Sequence, residues 1–237
     1  MDGARLSAFL LDEAGLRVTS LVRISQRSHT VNFRAVAEGG RAMLVKIASS
    51  NTRLPAVDHP LAAHDLFPDR VFSLDGRRVF CLDWKEGRAK TLDALSAAEL
   101  DGMVAVYRSF RAALGEGMIH GDLNCNNVLF ADGKVTGFLD LEAVREGNPC
   151  EDWVRYALTG AEHLPVFSWY RRRRLAANFG RIVGTTGHAA ADWRAAVDGF
   201  AAAKCARKTH GGRLSAFARV NLAWRRGYYE RLKREIA

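Results

Sequence analysis

Between residues 17 and 47, apolar and polar positions alternate with a period near two. LRVTSLVRI is rich in β-branched residues, the polar stretch SQRSHT follows, and VNFRAVA leads through Glu38-Gly39-Gly40 into RAMLVKI. This pattern predicts strands in an antiparallel meander. Residues 51–67, NTRLPAVDHPLAAHDLF, predict a loop and a short helix interrupted by Pro55 and Pro60. RVFSL and RRVFCLDW are joined by Asp75-Gly76, a two-residue hairpin signal. From Thr91 the period becomes helical. Ser96 and Glu99 form a capping-box pattern, and LDGMVAVYRSFRAAL carries apolar residues at three and four spacing until Gly115. A second hairpin, NVLF and VTGFLD about Asp132-Gly133, interrupts the helical part. Beyond residue 150 four segments read as helices: EDWVRYALTG, VFSWYRRRRLAANFGRIV, AADWRAAVDGFAAAKCA and RLSAFARVNLAWRRGYYERLKREI. Stripes such as Leu214, Phe217, Val220 and Trp224 read as core.

Strands first and helices afterwards define an α+β chain. At 237 residues it suits one large domain or two small lobes, and the 48% hydrophobic and 26% charged composition argues against disorder. Cys81, Cys125, Cys150 and Cys205 form no C-x-x-C motif and no dense disulfide framework, so reduced thiols are expected. The start, MDGARLSAFLLDEAG, places acids beside a short apolar patch and lacks a secretory apolar region. No apolar run approaches the ~20 residues of a membrane span. The expected location is cytoplasmic.

Charge changes this picture only when the chain is divided. Residues 151–237 hold 17 Lys/Arg against 7 Asp/Glu, a net of +10 in a chain of net +9, which leaves −1 for residues 1–150. The excess includes Arg171 to Arg174, Arg225, Arg226, Arg231, Lys233 and Arg234. It reads either as solvated helix faces or as attraction to an anionic substrate, membrane surface or nucleic acid.

Candidate chemistry concentrates in MIHGDLNCNNVLF, residues 118–130, which sets His120, Asp122 and Asn127 between an apolar lead-in and a strand. The hairpin that follows brings Asp140 beside this loop although it lies 18 positions beyond Asp122. One proton acceptor and two oxygen ligands then converge, and magnesium needs few protein ligands when substrate phosphates complete its shell. Each residue alone is explained as a turn former or a strand-end cap; the set in this order is not. Lys46, between Val45 and Ile47 on a strand, would alone be a surface residue. With the loop downstream it reads as a fixed ammonium for nucleotide phosphates. Its acidic partner is Asp58 or Asp65. The loop Ser25 to Thr30 has no Gly, but its backbone with Ser28 and Thr30 offers phosphate donors as well as an ordinary hairpin reading.

HGDLNCNN with GFLDLE resembles the aminoglycoside phosphotransferase and choline kinase group, small-molecule relatives of eukaryotic-type protein kinases. Gly121 after the motif His and Glu142 in place of a Gly fit that group. The likeness is strongest over residues 118–160 and looser over 17–90. It implies a two-lobed protein-kinase-like fold, with a nucleotide-binding lobe at residues 1–84 and a catalytic and substrate-binding lobe at 85–237. Asp83 to Gly87 would be the hinge meeting an adenine edge, with Trp84 there as packing. It implies ATP or GTP as donor, magnesium on Asn127 and Asp140, Asp122 as catalytic base, Lys46 on the phosphates, His120 as a buttress and Asp152 as the acid bracing the loop. The reaction expected is transfer of the γ-phosphate to a hydroxyl of a small molecule or glycan. The basic C-terminal part suggests a neutral or anionic acceptor, such as a phosphorylated sugar or a lipopolysaccharide-core sugar at a membrane face, with peripheral membrane contact through the basic helices. Other readings are a protein Ser/Thr kinase, which the lack of an A-P-E-like segment opposes, and an inactive kinase-like binding protein. Nucleic acid is not the expected partner, since retention of all four site residues favours catalysis.

Overall fold

The computed structural model describes residues 2–26, 29–162, 164, 168–209 and 227–236, in two compact units, Met1–Glu86 and Gly87–Ala237. The first unit opens with helix α1 (Gly3–Ala14), which the sequence reading did not assign. The Asp2 carboxylate accepts the Ala4 N–H at 3.2 Å, and the Gly15 and Leu16 N–H groups close the last turn on the Leu11 and Leu10 carbonyls. Leu6, Leu10 and Ala14, four apart, put one buried stripe on the sheet.

That sheet is antiparallel and has five strands: β1 (Val18–Gln26), β2 (Val31–Ala37), β3 (Ala42–Ala48), β4 (Phe72–Leu74) and β5 (Arg77–Asp83), in the order β1-β2-β3-β5-β4. The Asp75-Gly76 turn has positive φ at both residues, 53° and 71°, the hairpin geometry whose twist matches the strands. Alternation sends Phe33, Met43, Val45, Ile47 and Cys81 toward α1. Leu44, Lys46 and Ala48 therefore face the other side, with Phe80 opposite Lys46 in register.

The short helix expected within residues 51–67 is not formed. The segment runs as turns and extended chain, and Asp65 makes an isolated bridge to Leu82. Pro55 and Pro60 deny a helix two backbone donors. The chain satisfies its polar groups on β5 instead, through Leu66 N–H to the Cys81 carbonyl (2.8 Å) and Asp83 N–H to the His64 carbonyl (2.9 Å).

The second unit begins with β6 (Arg88–Ala89) and α2 (Ala97–Leu114), and continues through β7 (Met118–Ile119), β8 (Val128–Ala131), β9 (Lys134–Phe138) and β10 (Arg145–Glu146). Helices α3 (Pro149–Glu162), α4 (Trp169–Thr186), α5 (Ala190–Thr209) and α6 (227–234) follow. Strands β6, β8 and β9 form one small sheet, and β7 pairs with β10. Tyr107 and Phe110 of α2 meet Phe138 of β9 and Trp153 of α3, with ring centroids 4.3 Å apart for Phe110–Phe138 and 4.7 Å for Tyr107–Trp153. The His120 ring lies against this aromatic cluster, 6.1 Å from Phe110 between centroids.

Much of the positive charge of α4 is structural. Arg171 pairs with buried Asp93 at 2.6 Å, Arg181 grips both oxygens of Asp101, and Arg174 donates to the Leu95 carbonyl. Ser28, Arg225, Arg226 and the Leu214, Phe217, Val220 and Trp224 stripe lie outside the described residues. Cys81, Cys125 and Cys150 are buried thiols outside any disulfide. Among the described residues no helix is long and apolar enough to cross a membrane.

The capping box at α2 forms as expected. Glu99 bonds back to the Ser96 N–H and also pairs with Lys90 at 2.6 Å. Chiefly through that Lys90 bond, its carboxyl is held down from 4.5 to about 2. A depressed carboxyl stabilises the fold fully above its unfolded value and loses that contribution as pH falls through its folded value. Glu99→Gln, which keeps the box and loses the charge, should therefore lower stability by about 1 kcal/mol at pH 7, since Lys90 is a third exposed. In denaturant titrations that deficit should shrink between pH 4.5 and 2.

Candidate active site

Asp152 lies in the first turn of α3 and is 1% exposed. A carboxylate so placed is stable only if its lone pairs are filled. Oδ2 accepts the His120 N–H at 2.7 Å and the Tyr107 hydroxyl at 2.5 Å, and Oδ1 accepts the Gly121 N–H at 2.9 Å. Burial and the adjacent carboxylate push the Tyr107 hydroxyl far above its ordinary value, which keeps it an O–H donor. The loop between β7 and β8 is thus bolted at its first two amides.

Gly121 completes the bolt. Its φ is 76°, and a Cβ there would stand 2.0 Å from the Ala143 carbonyl oxygen, so the chain passes between α3 and the turn after β9 only without a side chain. His120, fully buried, accepts the Asp122 N–H on Nδ1 at 3.3 Å and faces the Leu139 carbonyl with Nε2 at 2.8 Å. That network assigns the proton to Nε2. The ring orients backbone on both sides and is closed to solvent.

Asp122 is presented outward, its side chain 40% exposed. Oδ2 accepts from the amides of Asn124 (3.1 Å) and Asn127 (3.2 Å), and Oδ1 meets Arg155 of α3 at 3.2 Å. Asn127 also donates to the Asp122 carbonyl at 2.9 Å. Both bonds use its amide nitrogen, which leaves the amide oxygen as the atom able to take a cation. The Leu139 N–H donates to the Asn127 carbonyl at 2.9 Å, so Leu139 is tied to the loop at both of its backbone groups. Asp140 follows directly, in left-handed conformation with φ 58° and ψ 55°, unusual outside glycine and costing roughly 1 kcal/mol or more.

The structure therefore gathers Asp122, Asn127 and the chain at Asp140 in the second unit. Lys46 belongs to the first unit, where it is 3% exposed on β3. Asp58 is exposed, and the Asp65 carboxylate accepts the Phe67 N–H at 3.1 Å. Trp84 packs under the Arg34 guanidinium at 5.1 Å. Among the described residues no three His, Cys, Asp or Glu converge to hold a metal unaided. One amide oxygen and one carboxylate instead suit a hard cation whose shell phosphates complete. Sequence reasoning did not identify Arg155, Asn124 or Tyr107. Arg155 had one visible signal: it lies three residues after Asp152, on the same helix face.

The family model described as phosphotransferase enzyme family matches residues 37–196. No curated protein sequence matches the chain closely enough to count as a relative. Solved structures share the fold. A thermostable variant of aminoglycoside phosphotransferase APH(4)-Ia in ternary complex with AMP-PNP and hygromycin B aligns at TM-score 0.58 and 15% identity, covering 97% of this chain and 98% of that one. Aminoglycoside phosphotransferase APH(4)-Ia aligns at 0.57 and 14% identity over 100% of both chains. ADP-bound APH(2'')-Ib aligns at 0.51 and 11%, over 100% and 99%. The two-lobed kinase-like α+β fold is common to all three.

Gly121→Ala should lower stability by about 3 kcal/mol, because either the Ala143 carbonyl or the Asp152 bonds must give way. Thermal unfolding with a shift no larger than that of a surface substitution would contradict the bolt described.

Proposed function

Because the chain belongs to the phosphotransferase enzyme family, we propose that it moves the γ-phosphate of ATP or GTP to a hydroxyl of a small molecule or glycan. The observation that carries this reading is the presentation of Asp122. Its side chain is 40% exposed, with Oδ1 meeting Arg155 and Oδ2 held by two amides on a loop braced by Asp152. Such positioning is what phosphoryl transfer asks of a protein, since little covalent chemistry falls to the side chains.

The acceptor hydroxyl donates to Oδ1 of Asp122, which orients its oxygen toward the γ-phosphorus. The new O–P bond forms as the bond to the bridging oxygen breaks. The hydroxyl proton passes to Asp122, and the nucleoside diphosphate leaves with the electron pair of the broken bond. Lys46 holds the phosphates of the donor through its ammonium group. Asn127 and Asp140 would hold magnesium, which when bound offsets the charge of the phosphates. His120 and Asp152 touch neither substrate and act by fixing the loop. A nucleotide donor is in keeping with the AMP-PNP and ADP complexes of the structural neighbours. The net +10 of residues 151–237 favours a neutral or anionic acceptor over a polycation.

Asp122→Ala should leave nucleotide binding intact and lower magnesium-dependent turnover by roughly 10²-fold or more. The assay is nucleotide consumption across panels of sugars, amino alcohols and glycan fragments. Unchanged transfer in that variant would remove Asp122 from the mechanism.

A further inference from the structure

A cavity of about 410 Å³ lies along α3 and α5, where the small residues Ala195, Gly199 and Ala203 leave room for a ring-sized molecule. Arg155 is the lining residue that joins this cavity to the site. Its guanidinium meets Oδ1 of Asp122 at 3.2 Å and also stands 5.9 Å from the centroid of the Phe200 ring. Oδ2 of Asp122 is already taken by the Asn124 and Asn127 amides, at 3.1 Å and 3.2 Å. Oδ1 is therefore the oxygen left to receive a proton, and Arg155 stands on it.

The pair is built to exchange. Charge-assisted bonds are strongest near about 2.8 Å, and this one is longer. Its side chains are 30% and 40% exposed, so it weighs little against water or a ligand. Glu151, one helical turn before Arg155 on α3 and lining the same cavity, offers the guanidinium a second carboxylate. We propose that Arg155 is a gate on the base: with the cavity empty it stays on Oδ1 and competes with water, and an acceptor that fills the cavity moves it toward Glu151 and frees Oδ1 for the acceptor hydroxyl. This rests on the reading of Asp122 as base. The reaction held back is hydrolysis of the donor. There the water oxygen bonds to the γ-phosphorus, a water proton passes to Oδ1, and the bond to the bridging oxygen breaks. Nucleoside diphosphate leaves with that electron pair, and inorganic phosphate is formed. Arg155 is a positioning residue, acting through Asp122 alone.

The test is release of inorganic phosphate from magnesium-ATP and magnesium-GTP by the full chain without acceptor. Arg155→Gln should raise it by about two- to fivefold, the weight of an ion pair this exposed. Arg155→Lys, which keeps a cation on Oδ1, should restore most of the restraint. Damage to the fold lowers a rate, so a rise separates the gate from a structural role. Adding Asp122→Asn to Arg155→Gln should abolish the rise. Hydrolysis that is unchanged in Arg155→Gln overturns the gate, as does a rise that survives Asp122→Asn. A fall also overturns it, since Arg155 then serves the phosphates. These outcomes leave the phosphotransferase reading standing. That reading fails instead if the chain binds no magnesium-nucleotide and transfers phosphate to no acceptor, and the gate fails with it.

Discussion

A buried carboxylate surrounded by donors is costly to form and costlier to disturb, and the Asp152 carboxylate meets His120, Gly121 and Tyr107 in that way. The three donors come from α2 and from the loop, while Asp152 itself rides on α3. One side chain therefore joins the two helices to the segment that carries Asp122. The first turn of α3 adds its own N–H dipoles, which favour negative charge there. Gly121 follows from the same constraint, because the Asp152 bonds hold its backbone where a Cβ would stand 2.0 Å from the Ala143 carbonyl oxygen. The aromatic cluster of Tyr107, Phe110, Phe138 and Trp153 keeps water from competing for these bonds.

Beyond that anchor the site is built by relay. His120 and Leu139 connect the loop to the end of β9, so the position of Asp140 depends on the same bonds that set Asp122. In the first unit a different principle applies: strand alternation turns Lys46 away from the α1 face, where it sits in register with Phe80 and is almost wholly buried. Lysine is rarely kept that far from water.

What the chain shows in one dimension and what it hides follow from the range of each interaction. The meander, both Asp-Gly hairpins and the Ser96–Glu99 box are legible because the residues that decide them are neighbours. Helix α1 escaped because twelve residues with acids beside short apolar runs look unlike a core element until the sheet beneath them is known. The expected helix in residues 51–67 failed because the part of β5 that the short β4 leaves uncovered offered better partners to a proline-broken chain. His120, Asp122, Asn127 and Asp140 stand out by type and spacing, whereas the contact between Asp122 and Arg155 spans 33 positions and is visible only in three dimensions. The basic C-terminal part is the clearest lesson in charge counting. Arg171, Arg174 and Arg181 bind the helix bundle together, whereas Arg155 and Lys204 line a cavity.

The Asp152 carboxylate holds the loop between β7 and β8 through its first two amides. Amide hydrogen exchange across residues 118–127, compared between the wild-type chain and Asp152→Asn, tests it most directly. The amide side chain keeps the volume but loses an acceptor, so exchange at 120–127 should accelerate by at least about tenfold while the middle of α2 stays protected. Equal protection of the loop in both chains would contradict the account.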